Sequence, residues 1–210
     1  MNSLIKRIDD LIEEKSLLKH KFYQMWSDGK LSLDSLSGYS KEYFQLVKAV
    51  PGFMTPIIQC APETVVSELT GNQQEEIQHI KLWIEFAGAL GVTEKELDQY
   101  QGLEKTKQAV SNLSSLMNSY EGGSCAMYAF EKEIPKISQI KLDGLSEFYG
   151  ITNTDATEYF KQHTEADIRH AASWRNIVEN SSQDDKMIDI AEKSISAQNL
   201  LLDSCYEAYC

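Results

Sequence analysis

An all-α fold, a single bundle of about seven main helices over residues 1–210, is predicted by three features of this sequence. Apolar residues recur at spacings of three and four along nearly the whole chain, the period of a helix with one buried stripe. Breakers fall at long intervals, as they do between helices rather than between strands. No run alternates in the two-residue period of a strand, and no internal repeat, low-complexity tract or linker divides the chain.

The first helix is expected from Leu4 through Ile8, Leu11, Ile12 and Leu18 to about Trp26, ended by Ser27-Asp28-Gly29-Lys30. Ser32 caps a second, whose stripe of Leu36, Tyr39, Tyr43, Phe44, Leu46 and Val47 ends near Pro51-Gly52. A short segment around Phe53 to Cys60 is bounded by Pro56 and Pro62, and a long helix follows from Glu63 to Leu90. Gly91 ends it, and Thr93-Glu-Lys-Glu96 reads as a capping box opening the next element. Further helices are expected from Leu103 to Tyr120, from Ser124 to Ile140 after a Gly122-Gly123 break and with a kink or break at Pro135, and between Gly144 and Gly150. Asp155 to Glu179, a turn at Ser181 to Asp185, and Lys186 to Tyr209 complete the chain.

Hydrophobic content of 42% with 25% charged residues is that of an ordinary soluble protein. A net charge of −12 argues against binding a phosphate backbone. No apolar run is long enough to span a membrane, and the N-terminus lacks a signal peptide's apolar centre, so the expected location is cytoplasmic. Cys60, Cys125, Cys205 and Cys210 form no Cys-x-x-Cys pair and are expected as reduced thiols, the last two on an exposed tail.

Chemistry concentrates in His163-Thr-Glu-Ala-Asp167-Ile-Arg-His170, which holds two of the four histidines. At about 100° per residue, offsets of four and seven place His163, Asp167 and His170 within roughly 60° of one another on a helix. Two imidazoles and a carboxylate on one face suit iron, manganese or zinc; the competing reading is a helix face where an acid neutralises histidines. A metal in a helical bundle draws ligands from facing helices. Asn72, Glu75, Glu76 and His79 share a face by the same arithmetic, and Glu131 sits in an apolar stretch where a carboxylate must be paired or metal-bound. His20, between Lys19 and Lys21, reads as a surface residue. Tyr23, Tyr39 and Tyr43 lie at core spacing.

Five segments together resemble the family of the chlamydial protein associating with death domains and its bacterial relatives, haem-oxygenase-like dimetal oxidases akin to the TenA and PqqC families. They are HKFYQMWSDGKLS, LSGYSKEYFQLVKAVP, HIKLWIEFAGALGVT, YAFEKEIPKI and YFKQHTEADIRHA, and the likeness runs over nearly the whole chain. The resemblance implies a haem-oxygenase-like bundle binding two metal ions, Fe or Fe/Mn. Its His-x3-Asp-x2-His ligands fall on His163, Asp167 and His170, its glutamate on Glu131 between Tyr128 and Pro135, and a further histidine on His79. At one place the sequence departs from the family: its Glu-x6-His pattern here has Asn72, a neutral carbonyl that cannot bridge two metals as a carboxylate does. Glu75 and Glu76 are the residues left to replace it.

For function the resemblance implies a self-sacrificing synthesis of para-aminobenzoate for folate, with dioxygen and a reductant as co-substrates. Tyr23 would supply the ring and Lys141 the amine, with Tyr39 and Tyr43 as neighbours or radical relays. It also implies a homodimer and a possible death-domain partner; the charge and the lack of a long apolar run already set aside nucleic acid and membrane. Two alternatives stand beside it: a TenA-like thiamin-pyrimidine hydrolase with Cys125 as nucleophile, and a death-domain-binding effector without catalysis.

Overall fold

The computed structural model describes residues 3–180 and 184–210, and every regular element among them is helical. In chain order these are α1 (Ser3–Glu14), a 3-10 turn (Leu17–Lys19), α2 (Lys21–Ser27), α3 (Leu33–Val47), α4 (Val50–Gln59), α5 (Glu63–Ala89), α6 (Glu94–Gln99), α7 (Glu104–Leu116), α8 (Tyr120–Glu131), α9 (Ile134–Tyr149), α10 (Thr154–Glu179) and α11 (Asp184–Tyr209). None is long and apolar enough to cross a membrane. Helix α10 packs against α5, α8 and α9, while α11 lies against α7, α8, α3 and α1. The core between them holds Trp26, Trp83, Trp174, Phe22, Phe86 and Phe160, all fully buried, each contributing on the order of 2 kcal/mol of burial.

Several expected boundaries move. The first predicted helix is three pieces, because side chains between Lys15 and Lys21 bond the backbone in place of the helical ladder. Glu133 accepts from the Ser16 hydroxyl at 2.6 Å and the Leu17 amide at 3.1 Å, and the His20 ring caps α2 by accepting from the Phe22 amide. His20 is thus a half-buried cap paired with Asp203, not a free surface residue. The Phe53 to Cys60 segment belongs to a helix that tolerates Pro51 at its first turn and Pro56 inside. Helix α7 stops at Leu116 rather than Tyr120.

The predicted glycine break at Gly122-Gly123 is helix interior. A Cβ on Gly123 would sit 2.5 Å from Ile57 Cγ1, so the glycine is there for the close approach of α4 to α8. Gly144 likewise lies within α9, against the Trp26 ring, so the short helix expected between Gly144 and Gly150 is the end of a longer one. Pro135 opens α9 after a full break from α8. The capping box at Thr93 and Glu96 is present as expected. Residues 181–183 of the expected turn at Ser181 to Asp185 lie outside the described residues. Cys205 is fully buried within α11 rather than on an exposed tail, and Cys210 is exposed.

Candidate metal centre

Helices α5 and α10 supply most of the site because each turns a polar row inward. On α5 the buried face runs Leu69, Asn72, Glu76, His79, Trp83; on α10 it runs Tyr159, His163, Asp167, His170, Trp174. Packed together, they form two groups whose ligand atoms lie within 4.8 Å of one another: Glu76, His79 and His163, and Glu76, Asp167 and His170. Glu76 belongs to both. Its Oε2 stands 3.4 Å from His79 Nδ1 and its Oε1 3.4 Å from His170 Nδ1, so each oxygen of one carboxylate faces a different group.

The neighbouring hydrogen bonds set the imidazole tautomers. His163 Nδ1 lies 2.7 Å from the Tyr159 carbonyl, which only accepts, so the proton is on Nδ1 and Nε2 keeps its lone pair. His170 Nε2 donates to Glu75 at 3.1 Å, leaving Nδ1 turned to Glu76 and to Asp167, 3.6 Å away. His79 Nδ1, His170 Nδ1 and Asp167 Oδ2 are buried without a hydrogen-bond partner, a costly arrangement for polar atoms unless a ligand completes them.

Charge points the same way. Burial pushes the Asp167 carboxyl well up, with Glu131 and Glu76 adding to it, and burial raises Glu131 to about 8. Burial also opposes ionisation of Glu76, but the His170, His79 and His163 imidazoles around it outweigh burial and hold that carboxyl low. Burial lowers His163 to about 4, so it is a neutral ligand, whereas Glu76 and Glu131 overcome burial at His170 and raise it to about 9. Three carboxyls and three imidazoles in so dry a place call for positive charge, and the mixed N and O donors fit two divalent metal ions. Glu131 lies beside the two groups, fixed by a 2.8 Å bond from Trp174 Nε1, and lines with Glu76, His163 and Asp167 a hollow of about 10 Å³. That is room for about one water.

Of the three residues considered for the departing position, Glu76 enters the site. Glu75 is half-exposed, bonded to Arg169 at 3.0 Å and orienting His170 from outside. Asn72 is buried one turn earlier on the same face, its amide nitrogen unpartnered.

Across the bundle, Lys141 of α9 is fully buried, and its Nζ donates to Tyr39 Oη at 2.6 Å. Aromatic rings enclose it: centroids of Tyr23 and Tyr43 at 4.9 Å, Tyr39 at 5.1 Å, Phe160 at 5.4 Å and Trp26 at 5.8 Å. Burial lowers its amine to about 7. Rings connect this cage to the acid and histidine cluster without a gap. His163 stacks on Tyr159 at 4.0 Å, Tyr159 meets Trp83 at 4.7 Å, Trp83 stacks on Tyr43 at 4.9 Å, and Tyr43 meets Tyr39 at 5.2 Å. The Tyr39 and Tyr23 hydroxyls are 3.5 Å apart.

Sequence reasoning missed Tyr159, Trp83 and Trp174. Each continues a ligand face by four residues, as Tyr159 does before His163, Trp83 after His79 and Trp174 after His170, and that spacing was the available signal. Cys125 is poorly built for a nucleophile: it is buried, donates to the Met187 carbonyl at 3.2 Å, and burial pushes its thiol up to about 12.

Comparison with known proteins gives one family model, described as iron-containing redox enzyme, which matches residues 38–199. A 4-aminobenzoate synthase of Chlamydia trachomatis is 32% identical over 97% of this chain and 89% of its own length. One from Nitrosomonas europaea is 30% identical over 100% and 93%. Among solved structures, a TenA homologue from Pseudomonas syringae superposes with a TM-score of 0.86 at 16% identity, covering 98% of this chain and 93% of that one. A CADD-like protein from Nostoc punctiforme gives 0.76 at 21% identity, covering 100% and 98%; both share the fold.

Proposed function

The chain belongs to the family of iron-containing redox enzymes, and from that premise we propose that it is a dioxygen-dependent non-haem dimetal oxidase making 4-aminobenzoate from its own Tyr23, with Lys141 as amine donor. The observation that carries this reading is the Lys141 cage. The amine and the Tyr23 ring lie against each other in a sealed aromatic pocket joined by ring contacts to the acid and histidine cluster, whose hollow of about 10 Å³ leaves no room for an external aromatic substrate.

His79, His163 and Glu76 would hold one metal, and Asp167, His170 and Glu76 the other, with Glu131 beside them. When bound, iron or manganese supplies the reduction of dioxygen from which the oxidising equivalents come. The chain's residues do the rest. The Tyr159 carbonyl holds the His163 proton on Nδ1 so that Nε2 presents its lone pair, and Glu75 holds His170 Nε2–H so that Nδ1 is the nitrogen that would give up its proton to a metal. The aromatic walls exclude water from the Tyr23 ring, and the Tyr39 hydroxyl aims Nζ. A free amine is a nucleophile and an ammonium is not, so the burial that lowers Lys141 to about 7 prepares it to give up its nitrogen near neutral pH.

The test is reconstitution with Fe(II) or Mn(II), a reductant and dioxygen. Release of at most about one 4-aminobenzoate per chain is expected, with mass changes at Tyr23 and Lys141 in peptide mass spectrometry. Unmodified Tyr23 in protein that has formed product would overturn the reading.

A further inference from the structure

Building on the reading that Tyr23 is oxidised, we infer that Tyr39 and Lys141 form a proton-coupled redox pair, in which Tyr39 is oxidised before Tyr23 and Lys141 takes the Tyr39 phenolic proton. A phenol that loses an electron becomes a strong acid, and in a dry pocket its proton must pass to a base already within hydrogen-bond distance. At the end of the ring series only Tyr39 has one. Its Oη is 2.6 Å from Lys141 Nζ, whereas the Tyr23 hydroxyl meets the Tyr39 hydroxyl, itself a phenol, at 3.5 Å. Among the described residues Lys141 has no carboxylate partner, and the other titratable group felt by its amine is the buried Cys205 thiol. The uncompensated amine therefore has its lone pair available for a substantial part of the time near neutral pH.

The step balances. One electron leaves the Tyr39 ring through Tyr43, Trp83 and Tyr159 to an oxidant generated from dioxygen at the acid and histidine cluster. The phenolic proton moves to Nζ, leaving a neutral phenoxyl radical and an ammonium. Five aromatic faces around Nζ lessen the cost of that transient ammonium, and the burial that lowers the amine to about 7 lets it shed the proton again before it serves as donor. The Tyr39 radical then takes a hydrogen atom from the Tyr23 hydroxyl, which restores Tyr39 and moves the radical to Tyr23. On this account Lys141 has a use as a base that precedes, and is separable from, its use as amine donor.

The experiment is freeze-quench electron paramagnetic resonance on the full chain loaded with Fe(II) and exposed to dioxygen, with metal content measured in every sample. Tyr23→Phe should trap a tyrosyl radical on Tyr39, identified by its loss in Tyr23→Phe/Tyr39→Phe. Adding Lys141→Met to Tyr23→Phe should lower the radical yield at least about tenfold. Methionine is apolar and of similar length, so it fills the cage without burying a charge, and circular dichroism should show an intact fold. An unchanged radical yield in the Lys141→Met combination would overturn the base role while leaving the amine-donor reading standing. A radical in Tyr23→Phe that survives loss of Tyr39 would overturn the priority of Tyr39. Absence of any tyrosyl radical, in metal-loaded protein that consumes dioxygen, would overturn the pair and the self-sacrificing reading together.

Discussion

Glu76 and Glu75 show how one position along a helix separates two roles. Counting back from His79 at about 100° per residue, Glu75 lies some 40° from the histidine's direction and Glu76 some 60°, so helical arithmetic alone leans to Glu75. The core lies on the other side: Glu76 is buried with its Oε1 toward His170 Nδ1, while Glu75 meets the Nε2 of the same ring from the half-exposed side. Glu76→Gln is expected to reduce tightly bound metal from two ions per chain to one or fewer, by elemental analysis after desalting, while Glu75→Gln retains both more weakly. At Lys141 the sign of the pH effect follows from an amine lowered from 10.5 to about 7 in the folded protein. The unfolded chain binds the extra proton between those values, so this group's destabilising effect is full below about pH 7 and fades as pH rises toward 10.5. Lys141→Met should therefore raise stability by on the order of 4 kcal/mol near pH 7, and by progressively less as pH rises above about 7, in denaturant unfolding compared with wild type. Single-turnover product yield in the wild type should rise as pH passes through about 7 and then level off.

At the scale of elements, the helices whose ends carry local chemistry were legible, and those set by packing were not. Ser32 and the Thr93 to Glu96 capping box bond neighbouring amides, so their meaning is contained within four residues. Gly123 and Gly144 read as breakers in isolation but are points of contact between helices distant in sequence, α4 with α8 and α2 with α9. Gly144→Ala would set a Cβ 2.7 Å from Trp26 Cδ1 and displace the indole whose Nε1 donates to the Lys141 carbonyl. It is expected to cost about 1–3 kcal/mol, seen as a lower midpoint in thermal unfolding. The expected first helix divided because Glu133, more than a hundred residues away, bonds the chain at Ser16 and Leu17.

For the whole molecule, the site places three carboxyls and three imidazoles inside a bundle whose net charge is already −12. Divalent metal binding at such a centre relieves a buried excess of acid and stabilises the folded state in proportion to affinity. Adding Mn(II) anaerobically should raise the thermal midpoint, and a chelator should return it; Glu76→Gln should show a much smaller rise. The ring series between His163 and Tyr23 also requires the bundle as a unit, because its members come from α10, α5, α3 and α2.

The sequence by itself determined the helical class, the inward row of His163, Asp167 and His170, and the family, because helical periodicity and ligand spacing are properties of neighbours along the chain. Only the tertiary structure decided that Glu76 rather than Asn72 or Glu75 joins both acid and histidine groups that could hold a metal, and that Lys141 ends inside a cage with Tyr39 as its hydrogen-bond partner. The reason is physical: a helix fixes the angle between its own side chains, but which angle faces the core, and what stands opposite, depends on contacts between segments far apart in the chain.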